Sequence, residues 1–505
     1  MSTGSHDYDQ LTQKVAEIRD LERIAALSYW DMQTYMPQGG HHARAEQQDT
    51  LQVLIHEKMA DPQLGALIDA LREKITDPDT IEAATLHWLA RDHKEATQMP
   101  PELVREKSQA ASNGMATWLK AREENDFQIF LPALKQILKV SRATARAIKP
   151  DSDPLATLLD QREPGFSLGE INQLFSQLRD FLVPLLNNIL HDGQPVDSGI
   201  LREYYDPKVQ WEAGFDAAKQ IGFDLDKRGR KDISVHPFTT AFSPDDVRIT
   251  TRLRNNYFPT AFFATLHEAG HGTYEQGIPA SLARSVLGNA PSGGFHESQS
   301  RLWENLVGRS RPFWNYFFPR LQQYFPNQLR DVSLETFYRA VNDVKPSLIR
   351  VEADEVTYNL HIIIRFELER DLFKEDLTPA DLPDAWNQKY EKYLGITPPD
   401  PTQGVLQDIH WSSEIGASFV SYTLGNMISA QLFEQARKVT PKMIEGFGQG
   451  DFSPLLEWMQ ENVHAVGRRY EPKDLLKRIT GDTLRPEPFM HYLTDKMKDV
   501  YQLSI

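Results

Sequence analysis

The 505-residue chain contains no cysteine. A disulfide framework is thereby excluded, every protein ligand to a metal must be His, Asp or Glu, and a cytoplasmic home is favoured. Long apolar runs are missing too. Ile415–Phe433 is uncharged but interrupted by Ser, Thr, Asn and Gln, and Ile362-Ile363-Ile364 stops at Arg365. Neither matches the roughly 20 apolar residues that span a bilayer. The N-terminus lacks a basic region followed by an apolar core, so no secretory signal is expected. Basic residues are outnumbered, 55 Lys and Arg against 71 Asp and Glu, for a net charge of -16. Such a surface argues against nucleic acid as a partner, which requires clustered cations, and serves solubility.

What is present is helical periodicity. Leu11, Val15, Ile18, Leu21, Ile24, Ala25 and Leu27 recur close to every 3.6 residues, and Pro37-Gln-Gly-Gly40 ends that helix. Further helices are expected at Ala43–Met59, Pro62–Lys74, Thr80–Gln98, Leu168–Leu190, Ser333–Val344 and Ser347–Phe373. The texture changes at Asp232–Phe242 and Asp246–Leu253, which are β-branched and partly alternating around Ser243-Pro-Asp-Asp246. They read as two strands and a turn. The expected fold is mainly α: a large helical body, with length enough for a deep groove, and a small antiparallel β-sheet next to the helix described next. No internal repeat is found, and the chain is read as one domain over 1–505, with a helical part over about 1–200, a central part over about 230–425 that holds the sheet and the helix described next, and a second helical part over about 426–505.

That helix, expected from Pro259 to Gln276, carries His267-Glu268-Ala-Gly-His271. Residues four apart share a helix face, so both imidazoles can reach one ion while Glu268 projects beside them as a base for a bound water. With 15 His in the chain, a chance match is expected only ~0.03 times. Gly270 and Gly272 each cost the helix about 1 kcal/mol against Ala, so something gains from close approach there. A third histidine in the spacing of one related class is excluded, because positions 274 and 277 hold Tyr and Gly. Glu275 extends the stripe and reads as surface. Glu297 and Glu304, seven residues apart after Gly293-Gly294, both remain open as the third ligand. Two His, one Glu and a water suit Zn²⁺, with Co²⁺ or Mn²⁺ as alternatives. By periodicity Arg350 reads as an i,i+4 ion pair with Asp354, His410 beside Trp411 as a packed pair, and His41-His42 as surface.

Several motifs occur together in order: His236-Pro-Phe238, Asp246-x-Arg248-x-Thr250, His267-Glu-x-x-His271, His296-Glu-Ser-Gln299, Ile349-Arg350-x-x-Ala-Asp354 and Gly404-x-x-Gln-Asp-x-His-Trp411. Met36-Pro-x-Gly-Gly40, Arg44-Ala-Glu-Gln47, Gly450-Asp-Phe452 and Thr480-Gly481 extend the match toward both ends. In this the chain resembles the thermostable carboxypeptidase family, also called the carboxypeptidase Taq family. The resemblance implies His267, His271 and Glu297 as metal ligands, which decides between Glu297 and Glu304, and Glu268 as general base and acid. It implies Arg350 as partner of a substrate's C-terminal carboxylate and His410 as a donor to the scissile carbonyl or that carboxylate. His236, Arg248 and Tyr422 would line the groove, although Ile415–Tyr422 departs from the more aromatic version usual in the family. The implied activity is release of single C-terminal amino acids, with broad specificity, from peptides with a free C-terminal carboxylate. The implied fold is one mainly helical catalytic domain with a long active-site groove beside a small sheet, and the implied assembly is a homodimer. An endo-acting or dipeptide-releasing oligopeptidase, and a metal-binding protein without turnover, are the alternatives.

Overall fold

Asp61, Thr80, Asp126, Asp153, Ser167 and Asp206 each stand one position ahead of a helix and accept from one of its unpaired first N–H groups. The computed structural model describes residues 3–504. It begins as a run of helices: α1 (Thr3–Thr34), α2 (His41–Met59), α3 (Pro62–Lys74), α4 (Ile81–Gln98), α5 (Pro101–Glu123), α6 (Phe127–Ile148), α7 (Pro154–Arg162), α8 (Leu168–Asp192) and α9 (Pro207–Gln220). Leu11, Val15 and Ile18 of α1 meet Leu64 and Ile68 of α3 and Trp88 of α4 in a small core of their own, which Val286 and Leu287 share. From Ala110 onward the buried residues form one continuous core. No helix among the described residues is long and apolar enough to cross a membrane.

The sheet has three strands, β1 (Gly229–Ile233), β2 (Thr239–Ser243) and β3 (Asp246–Thr251), in the order β1-β3-β2. The β2–β3 hairpin is antiparallel around the expected turn, whereas β1 runs parallel to β3 with Gly229 opposite Val247 and Ile233 opposite Thr251, which makes the sheet mixed. The single strand expected over Asp232–Phe242 is thus broken. Pro237 cannot donate to a ladder, and Ser234 to Phe238 leave the sheet as a loop whose Val235 is 82% exposed. On β3, Val247, Ile249 and Thr251 point inward and are fully buried.

Seven more helices follow the sheet: α10 (Phe258–Gly277), α11 (Gly293–Arg301), α12 (Arg311–Tyr324), α13 (Pro326–Leu329), α14 (Leu334–Val341), α15 (Thr357–Lys374) and α16 (Leu382–Leu394). α17 (Val420–Val439) follows, and others run on to Tyr501. The continuous helix expected over Ser347–Phe373 starts ten residues late. Arg350–Glu352 forms a single 3₁₀ turn, and Asp354 acts as a stop: its carboxylate accepts from the N–H groups of Val356, Thr357 and Lys345 and from the Thr357 hydroxyl. The Arg350–Asp354 ion pair therefore does not form, because the helix that would have placed the two on one face is not there.

Candidate active site

α10 starts with Pro259 in its first turn and lays Phe262 against Trp314 of α12. Its glycines answer the question their cost raises. A Cβ on Gly270 would stand 2.7 Å from the Gln299 carbonyl oxygen and from Ser300 Cα on α11, and one on Gly272 would stand 2.6 Å from the Phe223 ring. Gly425 of α17 does the same from the other side, where a Cβ would lie 2.6 Å from Glu297 Cγ. α11 is clamped between two helices that approach it only because each presents a glycine. Its start is fixed by Glu163, whose buried carboxylate accepts from Gly294 N and from the Ser421 hydroxyl of α17, both at 2.6 Å.

The clamp sets Glu297 against the histidine face. Glu297 Oε2 lies 3.5 Å from His271 Nε2 and 3.8 Å from His267 Nε2, and one donor atom from each of the three falls within 4.8 Å of the others. Beyond Arg301 the chain widens into a π-helical turn, Leu302–Val307, of the kind that marks functional sites. That turn brings Glu304 to the opposite edge of His267, where His267 Nδ1 donates to Glu304 Oε2 at 2.9 Å. Both acids left open by spacing thus meet the same imidazole, Glu297 at Nε2 and Glu304 at Nδ1. The proton held by Glu304 leaves the Nε2 lone pair free. Two imidazole nitrogens and a carboxylate oxygen converging in this way fit a divalent ion of the Zn²⁺ type.

Burial opposes the charge of Glu297, but Arg301, 2.7 Å away, and the two histidines outweigh it and hold the carboxyl far below its usual range. Burial likewise opposes the charge of Glu304, and Arg301 with the His267 hydrogen bond still lowers its pKa to about 2. His271 goes the other way, pushed down to about 3 by burial and by His296, which keeps its ring neutral. His296 stacks on that ring at 4.4 Å and donates to Glu275 at 2.9 Å. Glu275 is therefore not a surface residue: it turns inward because α11 supplies a donor that α10 alone could not reveal. Glu268, 6% exposed, accepts from the Thr239 hydroxyl of β2 at 2.7 Å. Burial raises its pKa against the pull of His267 and Thr239, the direction a general base requires.

A second cluster lies beside the first. Arg350, 5% exposed, makes a forked pair with Asp408: Nε and Nη2 donate to Oδ1 at 3.0 and 2.9 Å. Arg365 Nε donates to the other oxygen at 2.5 Å. Arg350 Nη1 donates to the Tyr358 hydroxyl at 3.1 Å, and the Tyr358 ring in turn lies 4.3 Å from the Arg301 guanidinium. Tyr358 thereby joins the two clusters. The Arg350 guanidinium stands 5.4 Å from the Tyr422 ring, and the Tyr422 hydroxyl stands 3.2 Å from His410 Nε2. Burial and the neighbouring Arg350 push His410 down to about 3, so its ring is neutral.

His236 is exposed on the loop before β2, with Nδ1 2.8 Å from the Pro237 carbonyl. Arg248 is not brought to either cluster. Its guanidinium packs on Trp30 at 4.3 Å and on Phe242 at 4.8 Å and forks onto Asp246, because position 248 alternates with the inward-facing Val247 and Ile249 and so turns to Trp30 of α1. Thr239, Glu163, Asp408 and Tyr358 were given no role by the sequence, and Glu304 was weighed there only as a metal ligand and not as a partner of His267 Nδ1. Asp408 alone carried a signal, as the acid beside Gln407 in a quoted motif.

Gly425→Ala is expected to push Glu297 off the histidine pair. Metal affinity, measured by competition with a chelator, should fall about 10- to 100-fold, with little loss of helix content. Unchanged affinity would mean that the clamp does not set the ligand.

The chain matches the model of the carboxypeptidase Taq (M32) metallopeptidase family over residues 10–497. It is 41% identical to thermostable carboxypeptidase 1 of Thermus thermophilus, covering 98% of this chain and 99% of that one. It is 36% identical to carboxypeptidase 1 of Bacillus subtilis, covering 99% of each. Among solved structures, the M32 carboxypeptidase of Deinococcus radiodurans R1 superposes with a TM-score of 0.95 at 40% identity, over 99% of this chain and 100% of that one. The Pyrococcus furiosus carboxypeptidase gives 0.94 at 33%, over 98% and 99%. With its helical body, its small sheet beside α10 and nearly its whole length aligned, this chain belongs to the carboxypeptidase Taq family of metallocarboxypeptidases.

Proposed function

We propose that the protein releases single amino acids from the C-termini of peptides with broad specificity. The observation that carries this reading is the placement of Arg350, locked by Asp408 and joined through Tyr358 to the cluster of His267, His271 and Glu297. A planar, always charged guanidinium suits a terminal carboxylate, and the Tyr358 link from Arg350 to Arg301, the partner of Glu297, supports that role. His267, His271 and Glu297 would hold one divalent ion, Zn²⁺ first and Co²⁺ or Mn²⁺ next. Such an ion, when bound, supplies Lewis acidity to water and to the scissile carbonyl.

Glu268, made a better base by burial, takes a proton from the attacking water and gives it to the leaving amine. Thr239 holds that carboxylate in place. Neutral His410 and the Tyr422 hydroxyl, 3.2 Å apart, orient the final carbonyl or carboxylate, and His236 covers the groove from the loop before β2. Incubating the metal-loaded protein with mixed peptides and reading products by mass tests the step size. Loss of one residue at a time from the C-terminus is expected; internal cuts or released dipeptides would favour the oligopeptidase alternative.

The reading extends to a homodimer in the cytoplasm. α2 contains no buried residue, and with α1 it leaves Ile24, Leu27, Val53 and Leu54 exposed, an apolar face that a second copy would cover. A monomer by sedimentation at micromolar concentration would contradict the dimer, and recovery outside the cytoplasmic fraction would contradict the location.

A further inference from the structure

α15 carries two fully buried charged side chains one helical turn apart, Arg365 and Glu369. Arg365 holds Asp408, two residues before His410. Glu369 holds Trp411, the residue after His410, whose indole N–H donates to Oε1 at 2.7 Å. One face of α15 therefore grips the chain on both sides of His410. The second oxygen of Glu369 accepts from the Ala417 N–H, also at 2.7 Å, and the Ser418 hydroxyl stands 3.4 Å from the first. A buried carboxylate is costly unless its oxygens are satisfied, and these donors all come from one segment, residues 411–418. That segment is not relaxed by itself. Ala417 has a φ of 58°, in the left-handed region that a residue with a side chain keeps only where its surroundings enforce it.

The segment leads into α17, whose first turn carries Tyr422. His410 and Tyr422 thus meet across its two ends, ring nitrogen to hydroxyl at 3.2 Å. His410 Nδ1 is buried with no hydrogen-bond partner among the described residues, so its ring is placed by the backbone that carries it and by the Phe419 ring, 4.6 Å away. Both belong to the stretch that Glu369 ties. We infer that Glu369 is a positioning residue: by tying Trp411 to Ala417 it closes the loop between His410 and Tyr422 and holds the two side chains together to act on one substrate group. It touches no substrate itself. A glutamine could accept one of the two N–H groups, but its amide nitrogen would face the other, and an apolar residue could accept neither. The inference rests on the reading above only for what the pair does to a peptide, not for the tie that holds the pair.

Glu369→Gln tests it with two readouts. Crystal structures of wild type and variant need no turnover: the contact between His410 and Tyr422 is expected to break in the variant, with His267, His271 and Glu297 unmoved. In kinetics on the metal-loaded protein, kcat/KM for a peptide with a free C-terminus is expected to fall about 10- to 100-fold, the effect of a small misplacement. Added to His410→Ala, the same substitution should cost nothing further, because residues that act as a unit are not additive; a merely structural role would cost the same in both backgrounds. Trp411→Phe, which removes one donor and keeps a ring in its place, should show the same dependence on His410, and it decides the matter should Glu369→Gln fail to fold. An intact His410–Tyr422 contact in the variant, or an equal loss with and without His410, would overturn the inference. A broken contact in a protein whose wild type cleaves amidated and free peptides alike would support the positioning and overturn only the carboxypeptidase reading.

Discussion

Glu268→Gln is expected to lower kcat on a peptide with a free C-terminus by about 100- to 10,000-fold, the range a positioned general base contributes, while bound metal stays at the wild-type level. The substitution keeps the shape of the side chain and an oxygen for the Thr239 hydroxyl, 2.7 Å away, and removes the capacity to take a proton. Glu268 is not among the three residues whose donor atoms converge within 4.8 Å, so metal content should not move. Burial raises the Glu268 pKa, which places its proton affinity nearer to that needed to accept from water and return to an amine. Elemental analysis beside steady-state kinetics checks both halves. An active Glu268→Gln enzyme would sink the mechanism, and an inactive one that had lost its metal would move Glu268 to the ligand set.

Asp408→Asn is expected to cost about 3–5 kcal/mol of stability, the usual result of removing one partner from a buried ion pair. It should also raise KM for peptides with a free carboxylate. Asp408 neutralises two buried guanidinium groups at once, Arg350 and the fully buried Arg365. Asparagine would leave them facing each other with one acceptor oxygen between them. Burial pushes the Asp408 pKa up, but Arg350 and Arg365 outweigh it and hold it far below the carboxylate range. A folded pKa below the unfolded value of about 3.9 means that the stabilisation is fully present above that value and is lost only as pH falls through the folded pKa. Thermal melts should therefore show the gap between wild type and Asp408→Asn wide at neutral pH and narrowing only in strong acid. A variant that melts with the wild type would mean that Arg350 is not held by this pair.

The histidine pair was legible because a spacing of four on a helix fixes a shared face whatever surrounds it, and the structure keeps that helix from Phe258 to Gly277. The choice between Glu297 and Glu304 was not, because seven residues predict one face only for an unbroken α-helix, and the π turn at Leu302–Val307 lets both acids reach His267 from different edges. Only the family resemblance singled out Glu297. Arg350 was misread by periodicity for a related reason. The sequence continues a helical pattern through it, but Asp354 binds the N–H groups that would have carried the helix backward, and the partner of Arg350 lies 58 positions away at Asp408.

The expected strand caught only Asp232 and Ile233 of β1, because Gly229-Arg230-Lys231 carries no apolar residue and the pairing with β3 is parallel rather than through a local turn. Glu275 looked like surface because the histidine that turns it inward is on another helix. In each case the residue type was visible in the chain and the partner was not. The fold class itself, mainly helical with a small sheet ahead of the metal helix, was readable from period and texture.

In the proposed reading, Arg350 makes one demand on substrate that no other residue makes: the peptide must end in a charge. The most direct measurement is therefore kcat/KM for one peptide in two forms, with its C-terminus free and amidated, on the metal-loaded enzyme. The account predicts rapid loss of the last residue from the free form and near-complete resistance of the amide. Equal cleavage of both would contradict it and leave a peptidase whose groove has no stop.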